Sequence, residues 1–214
     1  MSTSSATIMA IARSRPDLQR PDIKMQLHQL SMASSHYAAK RDARSIADRM
    51  GLDQYPGFSI GCYPLRPESR GSIHIRTPDV SDHPQIRANY LSAPEDALTL
   101  VAALRMIRKL AAQPALAQHI VRETRPGPEA VSDDDLLDHI RSTGQTSYHP
   151  IGTCRMGCDP QAVVDAQLKV HGIEGLRICD ASIMPTMVAS NTNAPSIMIG
   201  EKASDMVLRR ATAA

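Results

Sequence analysis

With 214 residues, the chain is long enough for one large domain or two small ones, and its 42% apolar share can fill a core. It has no Trp and a single Phe, so that core rests on aliphatic side chains and 11 Met. The net charge is +2 with the signs interspersed, which leaves no basic stripe for nucleic acid, and no apolar run approaches the ~18 residues of a transmembrane helix.

The opening MSTSSATIMAIARSRPD lacks a basic n-region and has too short an apolar piece for a signal peptide. The four cysteines, Cys62, Cys154, Cys158 and Cys179, are scattered, which reads as free thiols in a reducing compartment and a cytoplasmic protein. The stretch IKMQLHQL alternates, with Ile23, Met25 and Leu27 on one face and Lys24, Gln26 and His28 on the other, as in a half-buried strand. Residues 31–56 are polar and aperiodic and read as a long excursion. GFSIGCYPL resumes the alternation, and SIHIRT repeats it through Ile73 and Ile75. These three segments predict one antiparallel sheet with a single covered face.

The period then changes. SAPEDALTLVAALRMIRKLAAQP predicts a helix with Ser92 as N-cap, Glu95 closing a capping box, and an apolar stripe through Ala97, Leu100, Val101, Leu104 and Ile107. Pro114 is its expected stop. SDDDLLDHIRST predicts a second helix capped by Ser132 with an acidic first turn. From Gly144 to Asn193 the chain is rich in Gly, Thr, Ser, Asn and Pro. Within this run LRICD predicts a short buried parallel strand, and SIMIGEKASDMVLRR a last helix with Pro195 near its first turn. The fold class is therefore α+β: an antiparallel sheet with flanking helices, then a C-terminal strand and helix. Residues 1–143 form one domain portion and 144–214 another.

The chemistry gathers in this last part. In SYHPIGTCRMG, Pro150 pushes His149 toward extended backbone and Gly152 permits a tight turn, so the imidazole sits on a stiff loop. A satisfied structural histidine is the ordinary reading of any one His; the loop context makes His149 a candidate general base. In ASNTNAP, Asn191, Thr192 and Asn193 precede a helix whose N-terminus can cap itself or stabilise an anion. Asp180 ends the predicted strand, where a turn cap and a ligand contact are both open. Cys154 and Cys158 are separated by three residues with no second close pair, so no metal site is expected.

SYHPIGTCRMG, DPQAVVDAQLKVHGIEGLRICDASIMPT and SNTNAPSIMIGEKASDMVL together resemble the glucose–methanol–choline (GMC) oxidoreductases, FAD-dependent enzymes acting on alcohols. RPESRGSIHIRTPD and RSRPDLQRPDIKMQ are similar to further stretches of the family, and the choline-dehydrogenase-like members are the most similar in pattern. The resemblance implies roles. His149 takes the hydroxyl proton of the alcohol, and Asn191 is the second active-site position. Asp180 and Ala181 match the strand end that meets the FAD diphosphate and ribityl chain, while Thr192 and Asn193 match backbone positions beside the pyrimidine edge of the flavin. It also implies that residues 1–143 belong to the substrate-binding (cap) domain and 144–214 to the active-site loop and the end of the FAD-binding domain.

Members of this family hold the ADP half of FAD on an N-terminal Rossmann unit marked by G-x-G-x-x-G, which does not occur in this sequence. The expected partners are thus a small-molecule alcohol and a separate N-terminal FAD-binding chain, with weak or absent FAD binding by this chain alone. The alternative expectation is a non-catalytic remnant or interaction subunit.

Overall fold

A computed structural model of the chain describes residues 6–31, 52–53 and 55–211. Most of the excursion expected at 31–56 lies outside the described residues. Two compact units are present, one of Met1–Leu65 with Ala93–Ser147, the other of Arg66–Ser92 with Tyr148–Ala214. The class is α+β, as the alternation and the later change of period predict.

In the first unit, β1 (Ala6–Ala12), β2 (Ile23–His28) and β3 (Ser59–Pro64) form an antiparallel sheet in that order. The sequence places the third strand at SIHIRT; the structure places it at ATIMAIA. Residues 13–22 close the β1–β2 hairpin, with Asp22 Oδ1 accepting from the Ser14 N–H at 2.7 Å and the Asp22 N–H donating to the Ala12 carbonyl at 3.0 Å. ATIMAIA does not alternate, which hides it: Ile8, Met9 and Ile11 are all exposed on this edge strand. SIHIRT supplies β4 (Ser72–His74), which among the described residues pairs only with β5 (Gln85–Arg87) in the other unit. Ile73 is 42% exposed and Ile75 86%, so its alternation meets no core.

β2 does not keep its expected faces: Gln26 and His28 are half-buried like Leu27. Lys24 is buried beside Ile23 and Met25, with its ammonium 5.6 Å from the Tyr63 ring centroid on β3. Ile23 and Met25 pack on α1 (Pro94–Ala111) through Ala103, with Ile60, Cys62, Met106 and Ile107 around them. The contact stripe of α1 therefore runs through Ala103 and Met106, outside the expected stripe, together with the expected Ile107. The helix start is also corrected. Its N-cap is Ala93 with no side-chain cap bond, because Pro94 occupies the first helical position and sets the boundary. Glu95 closes no box; it meets Arg15 at 2.9 Å instead. Helix α1 ends at Ala111, and Pro114 opens α2 (Pro114–Ala117) rather than acting as the stop.

α3 (Asp133–Thr143) packs on α1 and buries Leu136 completely. Its start is the expected one. The Ser132 Oγ accepts from the Asp135 N–H at 3.1 Å, and Asp135 reaches back to the Ser132 N–H at 2.9 Å. The Ser132 bonds hold the Asp135 carboxyl below the usual range. Ser132→Ala should lower the unfolding free energy of this helix by about 0.5–2 kcal/mol, read by chemical denaturation followed through helical circular dichroism. No change would mean the box is not formed in solution.

The four cysteines are free. Desolvation against the Ile23–Met25–Ala103 cluster pushes the half-buried Cys62 thiol up to about 11, whereas Cys158 and Cys179 are exposed. At about pH 8 only ~10⁻³ of Cys62 is thiolate, and the thiolate is the nucleophile. Timed alkylation read by mass spectrometry should label Cys158 and Cys179 first and leave Cys62 until the chain unfolds. Equal rates at all sites would contradict this packing.

Candidate functional site

The second unit is built around an irregular segment rather than a sheet. Isolated bridges join Met156 to Val164, Val164 to Val170 and Lys169 to Arg177. The parallel strand expected at LRICD is not formed. Residues 176–178 make only two backbone bonds back to 168–170, Val170 N–H to Leu176 carbonyl and Ile178 N–H to Leu168 carbonyl, at 3.1 Å each. Among the described residues no strand lies alongside to continue a ladder, and Leu176 is 48% exposed. Beneath this layer Val164, Leu168, Ile183, Met184, Ile199 and Ala203 form one core, which binds the segment to α4 (Asn193–Ala211).

The loop of His149 is fixed at several points. Tyr148 adopts φ 57°, a left-handed conformation that costs a bulky side chain on the order of 1–3 kcal/mol. Gly152 has φ 83°, and a Cβ there would stand 3.4 Å from the Met184 carbonyl oxygen. Just beyond, the Cys154 N–H donates to Ser182 at 3.1 Å and the Met156 N–H to Ile183 at 2.8 Å. The stiffness expected from Pro150 and Gly152 therefore has a physical seat: residues 154–156 are pinned to the 3-10 turn Ala181–Ile183.

Asp180 caps that same turn, its Oδ1 accepting from the Ser182 N–H at 2.7 Å. This is the turn cap left open by the sequence. The Ser182 bond holds the exposed Asp180 carboxyl below its usual range. Ala181 is the first residue of the turn and half-buried.

His149 is half-buried, and its Nδ1 lies 3.0 Å from Thr192 Oγ1, across 43 residues of chain. Nε2 is the ring nitrogen that this contact does not engage. Thr192 is buried, and its carbonyl accepts from both the Ser196 N–H at 3.0 Å and the Ser196 Oγ–H at 2.7 Å. The first turn of α4 thus fixes Thr192, and Thr192 meets the imidazole. Asn191 and Asn193, exposed on either side, are each one Cα–Cα step, about 3.8 Å, from Thr192. His149, Asn191, Thr192 and Asn193 are therefore drawn to one place by a single side-chain bond, while Asp180 and Ala181 lie on the turn that anchors the loop. Sequence reasoning gave Thr192 only a backbone role. Its signal was weak: a lone hydroxyl between two asparagines reads as part of a cap.

The start of α4 presents N–H groups without intrahelical partners and a partial positive charge. Flanked by the Asn191 and Asn193 carboxamides, this donor set suits a polar, anionic ring edge such as that of a reduced flavin. No helix among the described residues is long and apolar enough to cross a membrane.

A family model described as GMC oxidoreductase matches residues 67–200. An alcohol dehydrogenase [acceptor] of Pseudomonas putida is 47% identical over 154 residues, covering 72% of this chain and 28% of that protein. An oxygen-dependent choline dehydrogenase of Escherichia coli O45:K1 is 46% identical over 151 residues, covering 71% and 27%. The crystal structure of pyridoxine 4-oxidase from Mesorbium loti superposes with a TM-score of 0.80 at 29% identity, covering 94% of this chain and 37% of that one. The chain thus spans between a quarter and a third of the length of these curated relatives. With its family match running through both the His149 loop and the start of α4, the chain belongs to the GMC oxidoreductases and represents their C-terminal region.

Proposed function

We propose that this chain is the proton-accepting, substrate-orienting region of a flavoenzyme that oxidises a CH–OH group to a carbonyl. The observation that carries the reading is the bond between His149 and Thr192, which sets an imidazole beside Asn191 at the start of α4. FAD, when bound, supplies the hydride acceptor at flavin N5. His149 Nε2 takes the hydroxyl proton, which strengthens the alkoxide's push on the departing hydride. The Asn191 carboxamide donates to the alcohol oxygen and holds its geometry. The N–H groups of Asn193 and Ala194 at the start of α4 stabilise negative charge on the adjoining ring edge. Asp180 and Ala181 shape the turn beside the cofactor's diphosphate and ribityl chain.

In this reading residues 1–143 contribute to the substrate-binding domain and 144–214 to the catalytic loop and the end of the FAD domain. The ADP half of FAD is held by a separate N-terminal FAD-binding chain or portion, since no G-x-G-x-x-G is present here. The exposed Ile8, Met9 and Ile11 on edge strand β1 support a chain that is completed by another surface. The free thiols support a reducing setting such as the cytoplasm.

The test joins this chain to the N-terminal flavin-binding portion of the Pseudomonas relative and mixes the yellow product anaerobically with primary alcohols and choline. Bleaching of the flavin is the expected result. A stoichiometrically yellow assembly that none of these alcohols bleaches would refute the oxidation, and a stoichiometrically yellow chain alone would refute the need for a second portion.

A further inference from the structure

We propose that Thr192 is a positioning residue that fixes the tautomer of His149: its Oγ1 accepts a hydrogen bond from Nδ1–H, so that Nε2 carries the lone pair. This rests on the reading of His149 as the base and adds a task for the Thr192 side chain. The resemblance gives Thr192 a place only through its backbone, beside the flavin.

A neutral imidazole has one N–H, and the bond its other nitrogen makes decides which. His149 Nδ1 stands 3.0 Å from Thr192 Oγ1, and a hydroxyl can serve there as donor or acceptor. As donor, Thr192 would leave the proton on Nε2, and the ring could not accept a second one at that atom. As acceptor, it leaves Nε2 free to take the substrate proton. The charged form removes the choice, because an imidazolium donates from both nitrogens and Oγ1 must then accept. With Oγ1 accepting beforehand, proton uptake needs no rotation of the hydroxyl and no exchange of partners. That is preorganisation: the environment is already arranged for the charge that develops.

The scaffold suits this task. Thr192 is buried, and the two bonds from Ser196 to its carbonyl hold its backbone in the first turn of α4. The imidazole approaches from the independently pinned loop that runs through Tyr148 and Gly152. Two rigid elements thus meet at one hydrogen bond, and neither has to move for proton transfer.

The test reads the ring nitrogens directly. The 214-residue chain, labelled with ¹⁵N-histidine, is titrated by NMR, with His149→Gln used only to assign the signal. Once the ring is neutral, long-range ¹H–¹⁵N spectra distinguish an N–H nitrogen from a lone-pair nitrogen. In the native chain Nδ1 should be the N–H nitrogen and Nε2 the lone-pair one. In Thr192→Val the Nδ1–H to Nε2–H ratio should fall roughly three- to tenfold, the fold-change one ordinary hydrogen bond is worth, and Thr192→Ser should restore it. A native ring protonated mainly at Nε2, or a ratio unchanged in Thr192→Val, overturns the assignment. Should the valine variant not fold, the native spectrum and the serine variant still decide. The readout involves neither flavin nor alcohol. An Nδ1–H ring in a chain whose flavin assembly oxidises no alcohol therefore supports Thr192 as the positioning residue and sinks only the proposed oxidation.

Discussion

His149→Gln should slow flavin reduction by an alcohol about 10²–10⁴-fold in the assembly of this chain with its flavin-binding portion, the range general base catalysis supplies. Rapid anaerobic mixing reads the chemical step itself. Glutamine keeps a polar head on the loop and can still donate or accept a hydrogen bond, but it cannot hold the proton that leaves the hydroxyl. The fold should lose little, because the imidazole is half-buried and its bond to Thr192 is worth about 0.5–1.5 kcal/mol net. The loop is pinned instead by the Cys154 and Met156 N–H bonds to the Ser182 and Ile183 carbonyls, which the substitution leaves in place. A large kinetic loss with small stability loss is thus the signature of a base. A loss of less than about tenfold would remove His149 from that role and return it to the structural histidine it could equally have been.

How much of this was legible beforehand follows from what each element depends on. Helix α3 was readable almost to the residue, because Ser132, the aspartates of its first turn and the apolar periodicity all act locally. The stiffness of the His149 loop was readable too, since Pro150 and Gly152 restrict the backbone whatever surrounds them. Sheet partners were not. ATIMAIA pairs with β2 through a hairpin closed by Asp22, and nothing in its own pattern says so, while SIHIRT carries a clean alternation yet faces solvent. LRICD failed for the same reason, since an apolar run becomes a strand only where a partner edge continues beside it. At the site, the residues that bring His149 and Asn191 into one neighbourhood are long-range. A bond spanning 43 residues between a loop histidine and a helix-start threonine leaves no periodic trace. Tyr148 in the left-handed region is likewise invisible, because propensity assigns that conformation to glycine or asparagine.

Ile183→Ala should destabilise the second unit by about 2–5 kcal/mol, the usual cost of truncating a buried isoleucine to alanine. Ile183 is 3% exposed and packs with Val164, Leu168, Met184, Ile199 and Ala203, so its side chain joins the turn after Asp180 to α4. Its carbonyl also accepts from the Met156 N–H, which makes one residue both the floor of the core and an anchor of the His149 loop. Native-state hydrogen exchange measures the effect inside this unit. The Met156 amide should exchange tenfold faster for every 1.4 kcal/mol lost, so roughly 30- to 4,000-fold faster across the expected range. Ile173→Ala is the control. That residue is 55% exposed, and its loss should stay within about 0.5 kcal/mol. If the two variants exchange alike, the 3-10 turn is not packed on α4 in solution. The loop carrying His149 would then lose the support that holds the imidazole at Thr192.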